Sequence, residues 1–379
     1  MTTTFQPTST EPRLSVAVYA IARDEERHVE RFMSGAKEAD VVVVGDTGST
    51  DGTIAALCSA KAVVHSISIS PWRFDDARNA ALSLVPAAVE VCVSLDLDEV
   101  LLPGWRAALQ RAWTGEATRL RYRFVSSWIG KDEPGTVFLN DRIHARHGYR
   151  WKLPVHEVVE WTGEGPEKVA MCPGLEVQHF PDESKSRGGY LPLLERAANE
   201  APDDPRVAHY LGREYWFHGR YSNSIRELQR SLDLPRAKWT AQRGEACRLI
   251  ARCHASLGLE AERVAWLWKA VGEISTQRET WVDLAEALYQ NGDFSGAYFA
   301  SLRSLAINEP SPDYFNEGRA WGALPHDLLS ISAWKLGLPD LAAEQAEIAA
   351  NLAPHDERIQ NNARFFRDRN SLAAAHTTA

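Results

Sequence analysis

Apolar positions follow two different rhythms along this chain. Over the first half, short aliphatic runs alternate with amphipathic stretches. Residues 14–20, 41–44, 62–68 and 89–95 read as strands, and residues 24–36, 53–60 and 74–84 as the helices between them. Strands alternating with helices of this length predict βαβ units and a mainly parallel sheet covered on both faces. Beyond a helical stretch at 105–113 the pattern turns β-like at 119–128 and 136–139, which gives the sheet a mixed far edge. From about Tyr190 onward β-like runs vanish and apolar residues recur at helical spacing.

An internal repeat emerges when these helical segments are laid over one another. Leu211-Gly212, Tyr215 and Gly219-x-Tyr221 are echoed by Leu284-Ala285, Leu288 and Gly292-x-Phe294. A third copy runs from Leu329-Ser330 through Gly337 to Pro354, and a weaker one centres on Gly258. The pattern matches the tetratricopeptide (TPR) template, in which small residues let paired helices approach. The turn glycines 219, 258, 292 and 337 stand 34 to 45 residues apart, so two copies carry insertions. The tryptophans of this half are expected mostly in its core.

Two domains also suit the length of 379 residues. The expected division is a flexible N-terminus at 1–12, an α/β domain at 13–185, helical repeats at 190–368 and a disordered tail at 369–379. With 44% apolar and 25% charged residues, the composition is that of an ordinary globular chain. No stretch is long and apolar enough to span a bilayer, and no secretory signal pattern opens the sequence. Five cysteines without CxxC spacing read as reduced thiols. A cytoplasmic protein is expected. The net charge of −9 argues against a large non-specific nucleic-acid surface. Between 119 and 152, however, eight Lys/Arg face three Asp/Glu, a local excess that suits a phosphate-bearing ligand or a solvated face equally well.

Two acidic strand ends carry the candidate chemistry. The string Gly45-Asp46-Thr47-Gly48-Ser49-Thr50-Asp51-Gly52-Thr53 follows the second strand. A carboxylate there sits where open α/β sheets bind ligands and can accept from a base or ribose; a well-made strand-turn-helix corner is the structural alternative. Leu95-Asp96-Leu97-Asp98-Glu99 ends the fourth strand. Three carboxylates so close repel each other unless a cation is present, and Mg²⁺ or Mn²⁺ takes such oxygen ligands while bridging to substrate phosphates. His156-Glu157 and His179 follow later in the chain, and Asp141 lies within the basic stretch.

The order Ala22-Arg23-Asp24-Glu25, GDTGSTDGT, Phe74…Ala77-Arg78-Asn79 and DLDE resembles family 2 glycosyltransferases of the GT-A fold. The appended repeats narrow this to the group with TPR tails, which includes sublancin-type S-glycosyltransferases. The resemblance implies a Rossmann-like GT-A domain and inverting transfer of a hexose from a nucleotide sugar, typically a UDP-sugar. It further implies that Asp46 contacts the nucleotide, with Arg23 and Arg78 in the same pocket. Asp96 and Asp98 match the DxD motif, with Asp98 as direct metal ligand and Glu99 bracing the loop. His156 and His179 are candidate further ligands to Mn²⁺ or Mg²⁺, and Glu157 or Asp141 the base. The partners expected are a nucleotide sugar, a polypeptide acceptor recruited by the repeats and a second copy of the chain. A catalytically idle nucleotide-binding scaffold, or a transferase acting on modified DNA or a glycan, are the alternatives.

Overall fold

A computed structural model describes residues 13–129, 133–182 and 189–377, with side chains to 369. The chain divides into two compact units that change over near residue 185. The N-terminus expected to be flexible lies outside the described residues. All five cysteines are free; only Cys58 is exposed.

The first unit opens with β1 (Val16–Ala22), α1 (Glu26–Ala36), β2 (Val41–Asp46), α2 (Thr53–Ser59), β3 (Val63–Ser66), α3 (Phe74–Leu84) and β4 (Val91–Ser94). Then come β5 (Glu99–Leu101), α4 (Trp105–Ala112), β6 (Arg119–Val125), β7 (Trp128–Ile129), β8 (Glu133–Pro134) and β9 (Val137–Ala145). It closes with β10 (Tyr149–Lys152), β11 (Val158–Trp161) and β12 (Val169–His179). Eight strands form one sheet in the order β3-β2-β1-β4-β9-β6-β12-β5. β1 pairs in parallel with β2 and β4, and β2 with β3, whereas β9 and β5 join antiparallel to β4 and β12. The sheet is therefore mixed.

Alternation along β1 explains both layers. Val16, Val18 and Ala20 pack with Val29 and Phe32 of α1, Leu57 of α2, and Trp105 and Leu109 of α4. Ala17 and Tyr19 face the other way, onto Ala81 and Leu82 of α3 and Trp151 of β10. Period-two burial on a central strand requires cover on both faces. The helix after β1 thus lies on one face and the helix before β4 on the other. From β1 the chain runs outward through β2 to β3 and then returns to β4 on the other side of β1; where strand order reverses in this way a crevice opens at the carboxyl ends, and β1 and β4 flank it.

The second unit contains α5 (Tyr190–Glu200), α6 (Pro205–Phe217), α7 (Tyr221–Asp233), α8 (Thr240–Ser256), α9 (Glu260–Glu273), α10 (Arg278–Gln290) and α11 (Phe294–Leu305). A short 3₁₀ turn (Gly318–Ala320) precedes α12 (Leu324–Lys335), α13 (Pro339–Leu352) and α14 (Glu357–Thr377). Gly219, Gly258, Gly292 and Gly337 each follow the first helix of a pair with φ between +68° and +76°. This left-handed conformation is the usual helix stop that glycine adopts at least cost. At Gly212 a Cβ would stand 2.6 Å from Leu228 Cγ, so α6 and α7 approach at a distance only glycine permits. The tail from 369, expected to be disordered, is helical to Thr377: its run of Leu and Ala is rich in strong helix formers.

Candidate functional site

The loops after β1 and β2 are laced together by short side chains. Asp24 Oδ1 accepts from Thr50 N at 2.7 Å, Ser49 Oγ accepts from Asp24 N at 2.9 Å, and Thr53 Oγ1 accepts from Glu25 N at 2.7 Å. Asp46, 1% exposed, turns inward: its Oδ2 accepts from Gly48 N and Ser49 N at 3.0 Å, and its Oδ1 from Ser49 Oγ at 2.5 Å. Local hydrogen bonds of this kind explain the Gly/Ser/Asp string. Asp46 shapes the corner, and the exposed Arg23 lies on its surface.

Asp96 and Asp98 leave β4 at the crevice. Arg78 reaches Asp96 from α3, with Nη2 donating to Oδ1 at 2.7 Å, while its Nε donates to Glu157 Oε1 at 2.5 Å. Asn79, the next residue on α3, exchanges two 2.9 Å hydrogen bonds with the backbone of Trp151, and the Arg78 guanidinium lies 5.0 Å from the Trp151 ring. α3 therefore presents Arg78 while clamping β10, the strand that leads to Glu157. Arg142 of β9 meets the other Asp96 oxygen at 3.3 Å and also binds Glu99. Glu99 Oε2 in turn accepts from Asp96 N at 3.0 Å and so braces the loop.

Electrostatics follow from this wiring. Although burial opposes it, the guanidinium groups of Arg78 and Arg142 hold the Asp96 carboxyl below its ordinary range. Burial pushes Glu99 upward, and Asp96 adds to the rise. Arg78 is 5% exposed, and its Nη1 is buried without a hydrogen-bond partner. Native structures leave few such donors unsatisfied.

Asp98 takes no part in that network. His179 Nε2 lies 3.2 Å from Asp98 Oδ2, and its Nδ1 lies 3.1 Å from Ser126 O. Against the opposing effect of burial, the Asp98 hydrogen bond and charge raise the imidazole to about 8.

Of the candidate metal ligands, Asp98 and His179 lie together, and among the described residues no group of three or more His, Cys, Asp or Glu is placed to hold an ion. Leu153 and His156 take positive φ of 78° and 51° in the turn that sends Glu157 onto Arg78. Asp141, the alternative base, belongs to a separate cluster, paired with Arg119, which also binds Glu167 and lies over Tyr149. His144 is fully buried. It lies 2.9 Å from Tyr19 Oη, which accepts from Trp151 Nε1 at 2.7 Å, and burial depresses its pKa to about 4.

No family model and no curated protein matches the chain. Among solved structures, the chain is similar to the crystal structure of MamA protein, at 18% identity and a TM-score of 0.36, covering 46% of this chain and 86% of that one. It is also similar to YrrB, described as a TPR protein with an unusual peptide-binding site, at 13% identity and 0.36, covering 46% and 81%. PilF of Pseudomonas aeruginosa gives 13% and 0.37, covering 47% and 72%. The C-terminal helical repeats resemble those of TPR proteins. None of the structures named here is a glycosyltransferase. The resemblance to family 2 glycosyltransferases, and with it the sublancin-type grouping, does not stand as a family assignment. The motifs that suggested it have local explanations: Asp46 closes its own loop, and Asp96 and Glu99 neutralise two arginines.

Proposed function

We propose that the β1/β4 crevice takes the diphosphate of a nucleotide sugar and that the chain transfers the hexose to an acceptor. The single observation that carries this reading is the Arg78–Asp96–Arg142 network lying beside the Asp98–His179 pair, at a carboxyl-edge switch point. Arg78 keeps one buried donor unspent, Nη1, and a charged donor of this kind suits an oxygen of an anionic ligand. Asp98 and His179 supply two donors. That is too few for a closed metal centre, but Mg²⁺ or Mn²⁺ commonly takes one or two protein ligands and completes its shell with water and substrate phosphate. When bound, such an ion would offset charge on the leaving diphosphate. Glu157, the candidate base that shares Arg78 with Asp96, would take the acceptor proton as the sugar–phosphate bond breaks and the acceptor–sugar bond forms. A UDP-hexose is the first donor to try and a polypeptide side chain the first acceptor.

The test is a donor-consumption assay over a nucleotide-sugar panel with Mn²⁺, on wild type, Asp98→Asn and Glu157→Gln. Release of nucleoside diphosphate from one donor, lost in both variants while the fold persists, supports the reading. Turnover unaffected by either substitution refutes it.

A further inference from the structure

The helical unit carries one long irregular segment between its repeats. Residues 308–323 interrupt the repeat between α11 and α12, and apart from one 3₁₀ turn they form no helix or strand. α6, α8, α10 and α12, the first helices of successive pairs, are neighbours. Helical repeats use such continuous faces as binding surfaces.

The segment lies on that face in three steps. Its aromatic end comes first: Tyr314 Oη is 3.0 Å from Tyr210 Oη, and Phe315, 6% exposed, packs edge-on to His209 and tilted against Trp239, at 5.8 and 5.3 Å between ring centroids. An acid follows. Glu317 Oε1 accepts from Arg248 at 2.6 Å and from Arg252 at 2.5 Å, and its backbone N–H donates to Glu279 at 3.1 Å. A base completes the series, since Arg319 binds Asp283 and, at 2.8 Å, Glu286. Arg248 and Arg252 are four residues apart on α8, and Glu279, Asp283 and Glu286 are spaced by four and three on α10. Each set is therefore one helical stripe turned to the segment. A cavity of about 270 Å³ continues past Arg319, lined by Trp216, Arg252, Ser256 and Arg263 among others.

We propose that this segment is a tethered pseudo-ligand. It occupies a peptide-binding face and keeps that face closed, and the partner the face fits is a peptide presenting paired aromatics, then an acid, then a base at alternate positions. The match is one of chemistry as well as shape: an aromatic slot, two arginines for the carboxylate, and two carboxylates for the guanidinium. The pairing involves no donor sugar, so its failure and that of the transfer reading are separable.

The probe is a synthetic peptide of residues 308–322, titrated onto full-length wild type and onto a full-length variant with residues 311–321 replaced by a Gly/Ser linker of equal length. The variant is expected to bind at micromolar concentration and the wild type at least 100-fold more weakly. A peptide carrying Tyr314→Ala and Phe315→Ala is expected to lose at least 10-fold. A folded variant that fails to bind, or wild type that binds equally well, overturns the proposal. Native-state hydrogen exchange on the wild type decides the matter if the variant does not fold. The amides of Glu317 and Trp321 are expected to open at least 10-fold more readily than those in the middle of α8 and α10. Exchange only together with those helices would make the segment a fixed core element and overturn the proposal.

Discussion

Replacing Arg78 by methionine tests the wiring of the candidate site most severely. The side chain is 5% exposed and joins two carboxylates, Asp96 at 2.7 Å and Glu157 at 2.5 Å, while lying over Trp151. Methionine keeps most of the volume and removes the charge, leaving two anions close together at one site. Removing one partner of a buried ion pair costs about 3–5 kcal/mol. The Asp96 side chain is 38% exposed, so water takes part of its charge; Arg142 also remains bound to it at 3.3 Å. The expected loss is therefore at the low end, roughly 3 kcal/mol. It should be read from hydrogen exchange of the central amides of α3 and β4, which report the first unit without the helical repeats. The compensating triple variant, Arg78→Met with Asp96→Asn and Glu157→Gln, should recover more than half of the loss, because no unpaired anion remains. A loss below about 1 kcal/mol, or a triple variant no more stable than Arg78→Met, would refute the reasoning.

Three other outcomes are expected. His144 is held neutral with its pKa depressed to about 4. Its contribution of roughly 3 kcal/mol is present above the unfolded value near 6.5 and is lost as pH falls through about 4; stability of the first unit at pH 7 and pH 4, in wild type and His144→Gln, checks this, and equal pH slopes would contradict it. Gly212→Ala, which sets a Cβ 2.6 Å from Leu228 Cγ, should cost about 1–3 kcal/mol by overpacking. Gly219→Ala has nothing within 4 Å, so only its φ of +68° matters and about 1–2 kcal/mol is expected by urea unfolding.

What the sequence revealed depended on how local each signal was. The four turn glycines marked the repeat because a helix stop is written in two or three residues, and all four take positive φ. β1, β2 and α3 were legible for the same reason. β12 was not: Pro173-Gly174 reads as a break, whereas the chain absorbs it as a register shift between Met171 and Glu176 within one long strand. At the site, the acidic strand ends were legible as residue types but not as partners. Arg78 meets Glu157 across 79 positions of sequence and Arg142 meets Glu99 across 43, and no local pattern announces such pairings. For that reason His156 was expected at the metal pair and Asp141 was held open as the base. The segment at 308–323 entered the sequence only as extra length between two glycines; its Tyr-Phe-x-Glu-x-Arg order became meaningful once Arg248, Arg252 and Asp283 stood opposite it.

The central claim, that the β1/β4 crevice binds a nucleoside diphosphate with a divalent cation, is tested most directly by calorimetric titration. UDP and the other nucleoside diphosphates would be titrated with and without Mn²⁺ onto wild type and Asp98→Asn. The account predicts one nucleotide bound in the presence of Mn²⁺, weakened at least tenfold without the metal and likewise in Asp98→Asn. Binding to none of them, or binding indifferent to both the metal and the substitution, would contradict it.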